Sequence, residues 1–242
     1  MSAQSILAMV ATVGLAAFVQ AIFGFGFALL VVPVAAVVYG PHEAVTLVTL
    51  LGTVVPAGMA WNQRRRIDRP VARRLVVAVL AGTPVGLLVF VTLPSDALRI
   101  LIGVGVLASA LFLWLTPSFD HPGPILDAAA GFLSGALATS TGTNGPPVVL
   151  ALQARRLPPD PFRATLAVTL LLTNLAVLAV FVLSGELRTS MFGPAIACLP
   201  ALGLGWFGGA AVRDRIPPHR FDHLVLGLLA VSATVSIVAA VI

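Results

Sequence analysis

Long apolar runs punctuated by glycine, proline and short polar clusters organise the whole chain. The first half reads as Ser5 to Ile22, a break at Gly24 to Gly26, and Phe27 to Val38, closed by Tyr39-Gly40-Pro41-His42-Glu43. Ala44 to Trp61, an arginine-rich connection, Leu75 to Leu93, a Pro94-Ser95-Asp96 turn and Ala97 to Leu115 follow. Thr116 to Pro124 has the composition of a linker. Beyond it the plan recurs: Ile125 to Thr139, a break through Pro147, Val148 to Gln153, Phe162 to Leu183, Met191 to Val212 and Phe221 to Ile242. Runs approaching ~20 residues, without polar–apolar alternation, predict membrane-crossing helices rather than barrel strands.

Composition agrees. Hydrophobic residues make up 59% of the chain, charged residues 10%, and the mean hydropathy is +1.05. A soluble domain carries roughly 25% charge. The fold class expected is therefore an all-α polytopic membrane protein, one membrane domain over residues 1–242, with the lipid bilayer as solvent. Met1 to Gln4 carries no basic residue, and the first apolar run exceeds the h-region of a cleaved leader, so retention of the terminus is expected. The net charge of +5 and pI near 11.2 would suit nucleic acid only on a soluble basic face, and the sequence offers none, so no nucleic-acid partner is expected. A lone cysteine, Cys198, excludes an internal disulfide and reads as a packing residue.

The two halves resemble each other. Val48-Thr49-Leu50-Leu51-Gly52-Thr53 matches Val168-Thr169-Leu170-Leu171-Leu172-Thr173 at a spacing of 120 residues, and the nine-residue step from Pro94 to Gly103 recurs from Pro218 to Gly227. Residues 1–115 and 125–242 are read as two repeats. All fourteen basic residues are arginine, and twelve fall in three predicted connections: Arg64, Arg65, Arg66, Arg69, Arg73 and Arg74; Arg155, Arg156 and Arg163; and Arg213, Arg215 and Arg220. Arginine-rich connections face the cytoplasm. All three do so only if each broken segment enters and leaves the membrane on one side, as a re-entrant hairpin. Ile125 to Gln153 spans 29 residues, too few for two crossings of a ~30 Å core at ~1.5 Å per residue. A hairpin plus three crossings per repeat makes the repeats inverted, with both chain termini outside the cytoplasm. Trp61, Trp114 and Trp206 then lie near cytoplasmic helix ends, as belt or as packing residues.

Breaks at membrane depth require the freed backbone groups to be satisfied by protein or by a solvated cavity, and paired breaks in two halves mark transporter binding sites. A helix that begins inside the membrane offers unpaired amides and a positive dipole end to an anion. No arginine, lysine or histidine lies within a predicted span away from its ends, so a site would rest on such helix starts. In the second break Asn144 or Thr143 is expected to cap the helix started by Pro146, Gly142 and Gly145 admit close approach, and Ser140, Thr141 and Thr143 add hydroxyl donors. In the first, the backbone of Gly24, Phe25, Gly26 and Phe27 and the amide of Gln20 are available. Thr53, Thr173 and Asn174, one helix beyond each break, either line the cavity or bond between helices. Scattered glycines such as Gly82, Gly86, Gly103, Gly105, Gly203, Gly205, Gly208 and Gly209 read as packing positions.

Acidic residues are expected only in loops or at helix ends, Asp127 and Asp222 being borderline, and His42, His121, His219 and His223 fall in connections. No metal site, cofactor or catalytic residue is predicted. A nucleophile such as Ser140 would lack a membrane-depth base, which argues against an intramembrane enzyme, and no phosphate-binding loop is present for ATP drive.

With Gly24-Phe25-Gly26 followed by Pro33, and Gly142-Thr143-Asn144-Gly145-Pro146-Pro147 opening the second half, the chain resembles the TauE/SafE sulfite-exporter family over essentially its whole length. Neither half carries the unbroken glycine run of many members. The resemblance implies a prokaryotic inner-membrane secondary carrier of small sulfur-containing anions: sulfite, sulfonates or thiosulfate. A passive anion channel is the alternative reading. The exact anion, flux direction, coupling ion (proton or sodium) and a homodimeric state stay open.

Overall fold

The computed structural model describes residues 3–115 and 123–213, and every regular element among them is helical. α1 (Ala3–Phe23) and α2 (Phe27–Tyr39) flank the first break, and α6 (Pro124–Thr141) and α7 (Gly145–Ala154) flank the second. The remaining helices are α3 (Pro41–Gln63), α4 (Arg69–Thr92), α5 (Ser95–Leu115), α8 (Pro159–Ser184) and α9 (Phe192–Arg213). The run from Phe221 to Ile242, with Asp222, His219, His223, Arg215 and Arg220, lies outside the described residues, as do His121, the linker and the side chain of Trp114.

Several boundaries move from where hydropathy alone places them. α4 begins at Arg69, so Arg69, Arg73 and Arg74 stand on a helix and not in a connection. The start is chemical: Asp68 accepts a bond from the Val71 amide at 3.1 Å, and Pro70 occupies the first turn. Arg163 likewise falls on α8 and His42 on the first turn of α3. Gly40 alone separates α2 from α3, at φ 98°.

Among the described residues, five stretches are long and apolar enough to cross a membrane: Ser5–Phe23, Pro41–Arg66, Arg69–Thr92, Pro159–Ser184 and Thr189–Arg213. Large apolar side chains cover the outer faces of these helices, including Leu88 on α4, Leu183 on α8 and Leu204 on α9. An exposed apolar surface of this extent is what a lipid-facing bundle presents. Inside, hydroxyls close on their own helices: Thr49, Thr53, Thr169 and Thr173 each donate to the carbonyl four residues earlier, at 2.7 to 2.8 Å.

Helix pairing crosses between the halves. α1 runs alongside α9, and α4 alongside α6, both pairs in parallel. Small residues make these approaches: a Cβ on Gly205 would overlap the Gly14 carbonyl oxygen, one on Gly82 that of Phe132, and one on Gly86 that of Ala136. Gly203 has nothing within 4 Å and Gly105 only the Thr141 hydroxyl at 4.0 Å, so these two glycines serve no close contact. Cys198 is buried and packs in the core.

At the centre α3 and α8 cross antiparallel, the end of α3 meeting the start of α8. There the Asp68 amide donates to Thr165 Oγ1 at 2.9 Å and Arg66 pairs with Asp160. The first two arginine connections thus lie at one end of the molecule. Trp206 lies over Gly58, so it packs between α9 and α3, whereas Trp61 is 71% exposed with the Arg64 guanidinium 4.6 Å above its ring.

The same end holds a buried charge cluster that the sequence reading did not anticipate. Asp127, in the first turn of α6, is 0% exposed. It accepts from Arg74 Nε at 2.7 Å, Arg155 Nε at 2.9 Å and an Arg155 terminal nitrogen at 2.7 Å. Arg155 also donates to the Gly123 carbonyl at 3.3 Å. Because Arg155 follows α7 and Asp127 begins α6, the two ends of this broken pair meet and the segment doubles back on itself.

Candidate functional site

The two breaks converge on one small cleft. Its wall comprises Gln20, Phe25 to Leu29, Val48, Gly52, Gly142 to Pro146, Leu170 and Asn174, around a cavity of about 20 Å³. Gly145 and Phe25 bring the segments into contact, a Cβ at Gly145 falling 3.6 Å from that of Phe25.

Glycine chemistry forms the breaks. Gly24 at φ 88° and Gly26 at φ 103° take left-handed backbone angles before α2, and Gly142 at φ 75° ends α6. Such angles are costly for any residue with a Cβ. After Gly26, the amides of Phe27, Ala28 and Leu29 have no acceptor within their own helix, because they form its first turn. All three residues wall the cleft. α7 contributes fewer donors: Pro146 and Pro147 carry no N–H, which leaves the amides of Thr143, Asn144 and Gly145 at its start.

Of the residues anticipated for substrate, Gln20, Phe25, Gly26, Phe27, Gly142, Thr143, Asn144, Gly145 and Pro146 stand together in the wall, joined by Asn174. Gly24 does not; it lies one residue outside, against Leu166 and the stem of Arg163. Ser140 and Thr141 are also absent from the wall, since each hydroxyl donates to a carbonyl four residues back, Ala136 at 2.8 Å and Leu137 at 2.9 Å. Thr53 and Thr173 are spent in the same way and line nothing. Thr143 does face the cleft, its hydroxyl 2.7 Å from that of Thr141.

Asn144 occupies the position before α7 yet forms no capping bond. Its Nδ2 donates instead to Asn174 Oδ1 at 2.7 Å, and Asn174 Nδ2 donates to the Gly52 carbonyl at 2.7 Å. Ser134 Oγ holds the Asn144 carbonyl at 2.7 Å. An amide chain therefore ties the second break to α8 and to α3. Gly52, Val48, Leu29, Ala28 and Leu170 were not anticipated. The available signal was the local match between Val48–Thr53 and Val168–Thr173: Gly52 stands where the second segment has Leu172, and Asn174 follows that segment where Val54 follows the first.

Residues 9–235 match the model of a family described as sulfite exporter TauE/SafE. The chain belongs to the TauE/SafE family. It is similar to a protein of Cupriavidus necator named probable sulfite/organosulfonate exporter TauE, with 22% identity over 231 residues, covering 93% of this chain and 90% of that one. No solved structure matches it. The chain is thus an integral membrane protein of an exporter family, and its broken segments are where helix starts and glycines gather.

Proposed function

We propose that this protein is a secondary transporter of small sulfur-containing anions, of the sulfite, sulfonate or thiosulfate class, in a prokaryotic cytoplasmic membrane. The observation that carries the reading is the cleft where the starts of α2 and α7 meet, walled by Phe27, Ala28, Leu29 and Gly145 with no charged side chain. Amides and dipole ends at such a place bind anions without a resident cation. The cross-paired helices, α1 with α9 and α6 with α4, support two inverted repeats with re-entrant hairpins that rock about a central site. The arginine connections gathered at one end support a cytoplasmic face there and termini on the other side.

Counterflow of radiolabelled sulfite and methanesulfonate into proteoliposomes tests the proposal. A carrier exchanges label against unlabelled internal anion and accumulates it under an imposed proton or sodium gradient. Flux that only dissipates a gradient, without exchange, would make the protein a pore.

A further inference from the structure

The cleft has a definite charge capacity. Its wall takes the first turns of α2 and α7, from Phe25 to Leu29 and from Gly142 to Pro146, and omits the last turns of α1 and α6 except for Gln20. Each helix start is equivalent to roughly half a positive charge. Two of them together offer about one, and no side chain in the wall adds another. Arg74 and Arg155, partly exposed, are neutralised at Asp127, and Arg163, whose stem packs against Gly24, is not part of the wall. A second negative charge on the ligand would be buried without compensation, and uncompensated buried charge is strongly unfavourable.

Gln20 supplies an independent observation. It is 3% exposed, it walls the cleft, and its Oε1 is buried without a hydrogen-bond partner. Buried acceptors of this kind are rare and costly. With the amide in this orientation, an anion offering only oxygens leaves the acceptor unmet, and a ligand that also carries an O–H or N–H satisfies it. The other amides of the wall, Asn144 and Asn174, are already bonded to each other.

Resting on the carrier reading above, we infer that the cleft selects a singly charged oxyanion that brings its own hydrogen-bond donor, hydrogensulfite in the sulfite series, and rejects dianions, thiosulfate included. The α2 and α7 starts take the charge and Gln20 Oε1 takes the proton-bearing hydroxyl, which never leaves the ligand.

The test is inhibition of labelled methanesulfonate counterflow in proteoliposomes by sulfite, sulfate and thiosulfate, across the pH range in which sulfite loses its last proton. Methanesulfonate is a monoanion throughout, and sulfate and thiosulfate are dianions. Sulfite should inhibit in proportion to its hydrogensulfite fraction, weakening as pH rises, while sulfate and thiosulfate should not inhibit. Gln20→Leu, at wild-type monodispersity, should lower the preference for sulfite over methanesulfonate by up to about tenfold, the size of one lost hydrogen bond. Inhibition by sulfate or thiosulfate as strong as by hydrogensulfite, or sulfite inhibition independent of pH, would overturn charge selection. An unchanged preference in Gln20→Leu would overturn the role of the donor. Failure of folded protein to exchange methanesulfonate or sulfite at all would overturn the carrier reading and this inference with it.

Discussion

Asn174 on α8 donates to the carbonyl of Gly52 on α3 at 2.7 Å, and the reason that carbonyl is free lies four residues on, at Pro56. A helical carbonyl normally receives the amide of the fourth residue after it, and proline has none. Asn174 supplies the missing donor and, through its oxygen, holds Asn144 at the wall of the cleft. Asn174→Leu should therefore cost about 1–3 kcal/mol from the unsatisfied groups it leaves. Pro56→Ala, which gives the Gly52 carbonyl a helical amide donor that the native chain lacks, should recover part of that loss in the double variant. Thermal unfolding in detergent measures the cycle, and additive effects in the double variant would refute the shared carbonyl.

Backbone angle separates two glycines of the cleft that look alike in sequence. Gly26 sits at φ 103° and Gly145 does not require a positive φ. Gly26→Ala should cost about 1 kcal/mol or more of stability through that angle and should abolish counterflow by displacing the first turn of α2. Gly145→Ala should fold normally, its Cβ in ordinary contact with Phe25, and weaken anion affinity by narrowing the cleft. Gly105→Ala is the control, with open space around it. Equal behaviour of all three in melting and in counterflow would contradict the assigned backbone roles.

The two breaks were legible in the sequence because they depend on local chemistry: Gly24, Gly26 and Gly142 interrupt apolar runs and each holds a left-handed angle. The start of α4 was less so, since Arg69, Arg73 and Arg74 mask it in hydropathy, although Asp68 followed by Pro70 carries the signal of a cap. Hydroxyls misled for a physical reason. Ser140, Thr141, Thr53 and Thr173 spend their O–H donors on their own helices and so have none left for an anion. The Asn144–Asn174–Gly52 chain joins residues up to 122 apart, and only tertiary packing brings them together.

Asp127 gives a prediction about stability rather than transport. It is fully buried between Arg74 and Arg155, so Asp127→Ala strands two arginines at the joint between α4, α6 and the end of α7. Because the arginines left behind are 34% and 17% exposed, water meets part of the loss and the cost is about 1–3 kcal/mol. The exposed pair Arg66–Asp160 offers the contrast, and Asp160→Ala should change stability by less than about 1 kcal/mol. Denaturant or thermal midpoints in detergent should rank the two variants clearly. Similar midpoints would mean that the cluster is hydrated and carries no such weight.

Topology supplies the last prediction. In this fold the Arg64–Arg66 turn and the connection containing Arg156 lie at one end, linked by Arg66 to Asp160 and by the Asp68 amide to Thr165. The turn at Thr189–Met191 follows the far end of α8. Single cysteines replacing Arg65, Arg156 or Ser190, all exposed positions, are introduced into a Cys198→Ala background. An impermeant maleimide applied to intact cells should label the Ser190 position and leave the other two untouched; permeabilised cells should label all three. Two arginine connections sharing the cytoplasmic side require the α6–α7 segment to enter and leave on one face. Labelling of the Arg156 position from outside, with the Arg65 position protected, would require that segment to cross the membrane once and would overturn the inverted arrangement.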